Sequence, residues 1–497
     1  MYDPILGYAS LTLLQRAIEG YTVDAVHDLL GPIGRAAHQR GDLAGVARAL
    51  PDDEPLATLV RLFLLGVPVS EAAARAALLP LDLSAAAPLI DTSGGEARAR
   101  LELRPYATDS AGPWWVLSDF GSDVRPGPLA SDHVLGIGGA SLTLAQATPR
   151  RPVDRALDVG TGSGVQALHA GTHAETVVAT DVSDRALRLA ATGAWLSGQT
   201  WELRAGSLLE PVTSELFDLI VANPPFVVSP GFDRSGDGFD YRDSGLTGDA
   251  ASAVLVGGIP SRLTADGTAS LLGNWIIPAD GDWSGRVESW FPELGCDAWV
   301  WQREVVEPGA YVTMWLRDAG ETPGTPRWVE RYGRWCDWFD ANEVAALGMG
   351  LITIWRATGT SAQVHCEDVP QAVEQPAGAH LWGWIARRRW LGAHDDAALL
   401  AARPRHADGL VLTRRETLRE QGWTETFTQL RLSHAMRWEV EADEAISGLV
   451  AACDGATPLG VVLDVLAAAT GASSDAVAGA ALPVVRDLIA RGFLEVP

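Results

Sequence analysis

Lysine is missing from this chain. All 38 of its basic residues are arginine, set against 63 aspartates and glutamates, for a net charge of −25. With abundant alanine and glycine, the missing lysine reflects GC-rich coding rather than chemistry. The acidic balance opposes nonspecific attachment to polyanions without excluding a local basic site. Cysteine is scarce: Cys296, Cys336, Cys366 and Cys453 are scattered, none at metal-ligand spacing. That fits reduced, structural thiols in a cytoplasmic protein. No run of 18 apolar residues is present, and the opening MYDPILGYAS has neither the charged segment nor the cleavage site of an export signal. A soluble, unexported protein with no membrane span is expected. Of ten histidines only His169 and His173 stand at a ligand-like interval, with Gly171 between them and no third ligand nearby. No metal is expected.

The length of 497 residues sets an expectation of two to four domains. Residues 1–90 read as helical, with Leu13, Leu14, Ile18, Val26, Leu29 and Leu30 recurring at helical intervals and Pro51 stopping one helix. The runs ARLELRPYA and PWWVLSDF follow, joined through Thr108–Gly112 as a β-hairpin. Helices followed by a hairpin predict a winged-helix-like domain over 1–130. Too few arginines are present for a DNA-recognition helix, so a packing or substrate-orienting role is expected.

The stretch from Ala156 to Pro230 carries the chemistry. It contains ALDVGTGSGVQALHA, VVATDVSDRAL and FDLIVANPPFVVSP, each a short apolar run ending in polar or glycine residues. That is the pattern of buried parallel strands feeding loops, and ligands of open parallel sheets bind at those carboxyl ends. The first cluster, Asp158 to Gly164, places glycines at 160, 162 and 164, where backbone can approach a ligand closely. A dinucleotide fingerprint needs glycine at 165, where Val165 stands, and a carboxylate at Asp158 would repel a pyrophosphate. A ligand with a cationic amino group and a sulfonium suits Asp158 better. Asp181 comes 23 residues later, fitting an acid that accepts both ribose hydroxyls. The third cluster is Asn223-Pro224-Pro225-Phe226. Two prolines stiffen the turn. The Asn223 amide and Pro224 carbonyl can then accept both hydrogens of a planar NH₂ group, with the Phe226 face to stack on.

With these motifs the chain resembles class I S-adenosylmethionine (SAM) methyltransferases bearing N-P-P-[FY]. Within them it is similar to the HemK/PrmC-like branch, which methylates glutamine side chains in release factors. The resemblance covers about 170–190 of the 497 residues. It implies an α/β, Rossmann-like, seven-stranded sheet and SAM as cofactor. By resemblance, Asp158, Gly160, Thr161, Gly162 and Gly164 hold the methionine part and Asp181 the ribose. Val182 packs on adenine, and Asn223, Pro224, Pro225 and Phe226 hold the acceptor nitrogen. The family often carries an acid after the third strand; here Gly206-Ser207-Leu208 stands there, so Ser207, Leu208 or a backbone group serves instead.

The methyltransferase domain is expected over 131–320. Gly138 to Thr143 should line the cofactor pocket. A helix is read at Val165–Ala170 and another at Asp184–Leu196 capped by Ser183. Strands are read at Glu202–Ala205 and Leu219–Ala222, and an antiparallel last pair at Ala298–Glu304 and Ala310–Leu316. The polar loop Pro230–Gly248, with Arg242, reads as a lid or clamp. Residues 321–497 are expected to form a C-terminal α+β domain ending in a winged-helix-like module. Fifteen of the 19 tryptophans lie between 275 and 438, which favours core and interface packing. Arg387-Arg388-Arg389, beside Trp382, Trp384 and Trp390, is the densest basic spot, readable as an RNA grip or as a solvated face.

The residues fit a methyltransferase acting on a protein side-chain amide; by the resemblance that amide is glutamine, with a release-factor-like protein as partner. They also fit an RNA guanine-N2 or adenine-N6 enzyme, a small-molecule methyltransferase, and a non-catalytic SAM-binding regulator. Acidity favours the first.

Overall fold

The computed structural model describes residues 2–52, 54–231, 245–291, 295–357, 362–420 and 422–496. The chain divides into two compact units. One holds residues 1–145, 151–356 and 364–368; the other holds 146–150, 357–363 and 369–497.

The first unit is built on an eight-stranded sheet. Its strands are β1 (Val153–Val159), β2 (Ala174–Asp181), β3 (Glu202–Ala205), β4 (Phe217–Ala222), β5 (Leu263–Pro278), β6 (Cys296–Val306), β7 (Val344–Arg356) and β8 (Val364–Asp368). Their order across the sheet is β8-β6-β7-β5-β4-β1-β2-β3. Strands β1 to β5 pair in parallel, and β7 runs antiparallel to both β5 and β6. The middle of the sheet is apolar on both faces: Leu157, Ile220, Ala222, Leu271 and Ile352 are buried, as parallel strands covered by helices must be.

Local chemistry explains the helices that flank it. Ser183 Oγ accepts from the amide of Ala186 (3.2 Å), capping the helix Asp184–Leu196. Gly164 opens the helix Val165–Ala170 from a left-handed conformation, φ +86°. A Cβ there would lie 2.7 Å from the Trp201 ring.

Two expectations about the sheet are corrected. It has eight strands rather than seven, because Val364–Asp368 adds to the outer side of β6. That short, half-buried VHCED run carries no alternation to mark it. The segment Ala310–Leu316 is also no strand: it lies inside the helix Pro308–Asp318. Its aromatic and β-branched residues favour a strand locally. Glu307 nevertheless caps the helix by accepting from Gly309 and Ala310, and Pro308 occupies the first turn. The antiparallel partner of β6 is β7, reached through a second helix, Pro326–Ala341. The sheet thus continues well past residue 320.

The N-terminal segment belongs to the same unit. The helices Tyr8–Ala17, Val23–Gln39, Leu43–Ala49, Pro55–Leu59 and Glu71–Ala77 precede a hairpin of Glu102–Thr108 with Ala111–Ser118. Val69–Ser70, Glu96–Ala99 and Ile90–Ser93 form a small antiparallel sheet. These elements share one buried cluster with Ala186, Leu189 and Leu196 of the core helix. Polar ties fix the contact. Arg185 grips Asp119 through two 2.6 Å hydrogen bonds, and the Trp115 amide donates to Ser197 Oγ at 3.0 Å. The Tyr106 hydroxyl meets His169 Nε2 at 2.6 Å.

The second unit contains helices Gly378–Ala393, Asp396–Ala401, Glu444–Ala452, Leu459–Thr470 and Ser474–Arg491. A long hairpin, Leu410–Arg419 with Gly422–Leu432, carries the short third strand Glu439–Glu441. Among the described residues no helix is long and apolar enough to cross a membrane.

Gly164→Ala adds both left-handed strain and a clash with a rigid indole, so it should cost about 2–4 kcal/mol. At Gly162, φ is +54° but no atom lies within 4 Å of the added carbon. Gly162→Ala should therefore cost only about 1–2 kcal/mol. Urea midpoints read the difference; equal midpoints would contradict the packing account.

Candidate active site

Strand register brings the polar clusters together. Val159 at the end of β1 pairs with Thr180 of β2 on one side and Ala222 of β4 on the other. Gly160, Asp181 and Asn223 therefore leave the sheet at one level. The space beyond them is a cleft of about 1060 Å³. Its wall includes Gly160, Thr161, Gly162, Asp181, Val182, Ser207, Leu208, Asn223, Pro224, Pro225 and Phe226. All of these were singled out from the sequence.

Asp158 and Gly164 stand behind that wall. The Asp158 carboxylate is buried, with Oδ2 accepting from Thr161 Oγ1 (2.7 Å) and the Ala167 amide (3.1 Å). It pins the glycine loop to the following helix. Its Oδ1 has no hydrogen-bond partner among the described residues. Asp181 Oδ2 accepts from the Gly162 amide and Oδ1 from the Ser183 amide, each at 2.9 Å. The acid thus shapes the loop as well as facing the cleft. Beside it Val182 is 57% exposed, an apolar surface awaiting cover. Leu208 holds φ at +48°, a strained state that costs a non-glycine residue about 1–3 kcal/mol and collects at functional sites.

The Asn223–Phe226 turn faces the glycine loop. The position of a Cβ on Gly160 would be 4.0 Å from both Asn223 O and Pro224 Cα. Among the described residues the Asn223 side chain makes no hydrogen bond within the chain, which leaves its amide for a ligand.

Of the stretch expected at Gly138–Thr143, Gly138 to Ser141 line the cleft, joined by Gly136 and Ile137, while Leu142 and Thr143 stand outside it. The Gln166 side chain donates to Ser141 O at 2.8 Å and holds this stretch against the helix after the glycine loop. Of the loop Pro230–Gly248, residues 232–244, including Arg242, lie outside the described residues; Gly245 and Leu246 reach the cleft.

Sequence reasoning missed two walls. Glu102, Arg104, Asp119 and His133 come from the N-terminal hairpin and the chain after it, and Trp315 and Asp318 from the helix read as a strand. Glu102 is buried, which raises its pKa against the pull of Arg104 and Ser118. The hairpin gave no sequence signal of folding over the cleft. For Trp315, the spacing from Tyr311 behind a capped Pro308 was such a signal.

Arg387, Arg388 and Arg389 lie in the second unit and are tied within it. Arg387 Nε donates to Ala490 O at 3.0 Å, and burial pushes its pKa down to about 10. Arg388 donates to Gln363 and lies over Trp384, and Arg389 lies over Trp382. His169, the first of the spaced histidines, is bound to Tyr106.

The strand order, with its single reversed strand β7, and the loops at one edge define a class I methyltransferase fold. Comparison with known proteins agrees in the same region: residues 135–233 match the family described as the methyltransferase small domain. Residues 19–100 and 382–496 match two domains of unknown function, DUF7059 and DUF7782. The chain is 32% identical over 178 residues to the ribosomal protein uL3 glutamine methyltransferase of Bradyrhizobium diazoefficiens, covering 34% of this chain and 52% of that one. It is 38% identical over 123 residues to the release factor glutamine methyltransferase of Deinococcus radiodurans, covering 21% and 43%. The chain thus spans about half the length of the curated relatives it matches. The ribosomal protein L11 methylase structure from Lactobacillus delbrueckii aligns over 45% of this chain and 81% of its own, at 20% identity and a TM-score of 0.26. The fold is defined by the strand order and the site loops.

Burial pushes the Asp158 carboxyl from 3.8 up to about 7; Thr161 and Ala167 pull the other way and the charge on Asp181 adds to the rise. Between those values the folded chain keeps a proton that the unfolded chain has lost. Stability from this group therefore falls as pH rises from about 4 to about 7, by up to roughly 4 kcal/mol, and is level above. Asp158→Asn should remove that slope. Urea midpoints of both proteins between pH 4.5 and 7.5 should lie together on the acid side and separate as pH rises, the wild type falling below the variant; parallel curves would contradict the burial account.

Proposed function

We propose that this chain is an SAM-dependent N-methyltransferase acting on a planar NH₂ group, with a protein glutamine side-chain amide as the acceptor class. The observation that carries this reading is the apposition of the glycine loop and the Asn223–Phe226 turn across one cleft. The residues present fit the cofactor. Gly160 and Gly162 turn with positive φ and put no Cβ between backbone and ligand. Asp181 and the uncovered Val182 stand at the next strand end.

In this reading Gly160, Thr161 and Gly162 lie against the methionine part, Asp158 and Gly164 hold that loop from behind, and Asp181 takes the ribose hydroxyls. Val182, Ser207 and Leu208 border the adenine. Bound SAM supplies an electrophilic methyl group together with its own leaving group. The Asn223 side-chain oxygen and the Pro224 carbonyl accept the two hydrogens of the acceptor. This returns electron density to its nitrogen and aims the lone pair. Pro225 stiffens the turn, and Phe226 gives the flat group a face to rest on. As the nitrogen–carbon bond forms and the sulfur–carbon bond breaks, the nitrogen becomes acidic and its proton passes to solvent. No strong base is required.

The relatives that are glutamine methyltransferases support glutamine as the acceptor, and the net charge of −25 disfavours a polyanion. The alternative, a nucleobase amine of RNA, loses its candidate grip to the internal contacts of Arg387–Arg389. A release-factor-like or ribosomal protein is the partner class, met in the cytoplasm. The N-terminal segment, 1–130 in outline, would orient that partner, since its Glu102 and Arg104 line the cleft.

Labelled methyl from SAM should enter lysate of cells lacking this chain and be released by protease, not by nuclease. Release by nuclease would replace glutamine with a nucleobase. Asn223→Ala should lower the transfer rate by roughly 10²–10³ while SAM still binds; unchanged turnover would sink the role given to the turn. Asp181→Ala should mainly weaken SAM binding, and wild-type affinity by calorimetry would refute its ribose role.

A further inference from the structure

The helix Pro308–Asp318 touches the acceptor turn and the chain just after it. Tyr311 is fully buried, and its hydroxyl accepts from the Val228 amide at 2.9 Å, just beyond Phe226. It also accepts from Asn274 Nδ2 on β5 at 2.7 Å. The turn is thereby tied to the sheet through one phenol. One helical turn further on, Trp315 lines the cleft and meets Phe226 edge to face, with ring centres 6.2 Å apart at 67°. Tyr311 and Trp315 are themselves in edge contact, 6.0 Å apart. The i, i+4 spacing puts both side chains on one face of the helix.

That helix is firmly seated. Tyr311, Val312 and Leu316 share a buried cluster with Val227, Val228 and Trp335. A buried ion pair of Arg331 with Glu321 ties the helix Pro326–Ala341 to the connection before it. The face it presents to the cleft is thus held by packing on both sides.

We propose that Trp315 is an acceptor-binding residue. With Phe226 it forms an aromatic corner, ring centres 6.2 Å apart at 67°, that receives a flat amide. Tyr311 is a positioning residue that holds the turn to which Phe226 belongs. The inference rests on the methyltransferase reading above and adds the acceptor-side wall to it. Aromatic rings in edge-to-face contact keep a fixed mutual angle. A planar group lying on one ring then meets the rim of the other, so its nitrogen is oriented before transfer.

The test uses the full chain, labelled SAM, and protein from lysate of cells lacking the chain as acceptor, at a series of concentrations. Trp315→Leu keeps apolar bulk at a half-buried site. It should raise the apparent KM for acceptor about ten-fold or more, with SAM affinity and the unfolding midpoint unchanged. Tyr311→Phe should lower kcat by about 10–100-fold at unchanged SAM affinity, and the Val228 amide should exchange faster with solvent. A wild-type KM in Trp315→Leu, with the wild-type protein active, overturns the corner alone. Absence of transfer by the wild-type protein overturns this inference together with the reading beneath it.

Discussion

The site depends on strand register at the centre of the sheet. Val159 stands between Thr180 and Ala222 in the ladder, so three chains leave the sheet side by side at Gly160, Asp181 and Asn223. A slip of one residue in β1 or β4 would turn buried Leu157 or Ile220 toward the wrong face and separate the loops. The apolar packing that fixes register thus also fixes the apposition of the glycine loop and the Asn223 turn. Loops placed this way need little ordering of their own, which is what preorganised transfer chemistry requires.

Electrostatics then finish the loops. Asp158 and Asp181 each accept backbone or hydroxyl donors of the Gly160–Gly164 segment or its surroundings. Burial raises the cost of ionising Asp158, and the charge of Asp181 adds to it. A cationic ligand in the cleft would relieve it. The N-terminal segment completes the enclosure through the Arg185–Asp119 pair. Asp119 is held below the usual carboxylate range: burial pushes it up, but the guanidinium and the Val134 amide outweigh that.

Much of this was legible in the sequence because the loops are written in residues with few conformational alternatives. Three glycines at positive φ, an acid at a strand end and a double proline punctuate apolar runs. The helices Val165–Ala170 and Asp184–Leu196 and the strand Glu202–Ala205 were readable to the residue, since Gly164 and Ser183 mark the helix starts and Gly206 follows the strand. The helix Pro308–Asp318 was not, because its AYVTMWL run has strand-like propensity and its cap is worth little beside that pattern. Nor was the part of the cleft wall made by Glu102, Asp119 and His133, since contacts between distant segments leave no local periodicity. Val364–Asp368 escaped because its half-buried VHCED run shows no alternation of apolar and polar residues.

The central claim is that one cleft holds the methyl donor with its sulfur toward the Asn223 turn. The most direct measurement is a crystal structure of the chain with S-adenosylhomocysteine. The account predicts adenosine between Val182 and Leu208, ribose hydroxyls on Asp181, and the sulfur facing Asn223 and Phe226. A ligand bound elsewhere, or bound in this cleft with its sulfur turned away from that turn, would contradict it.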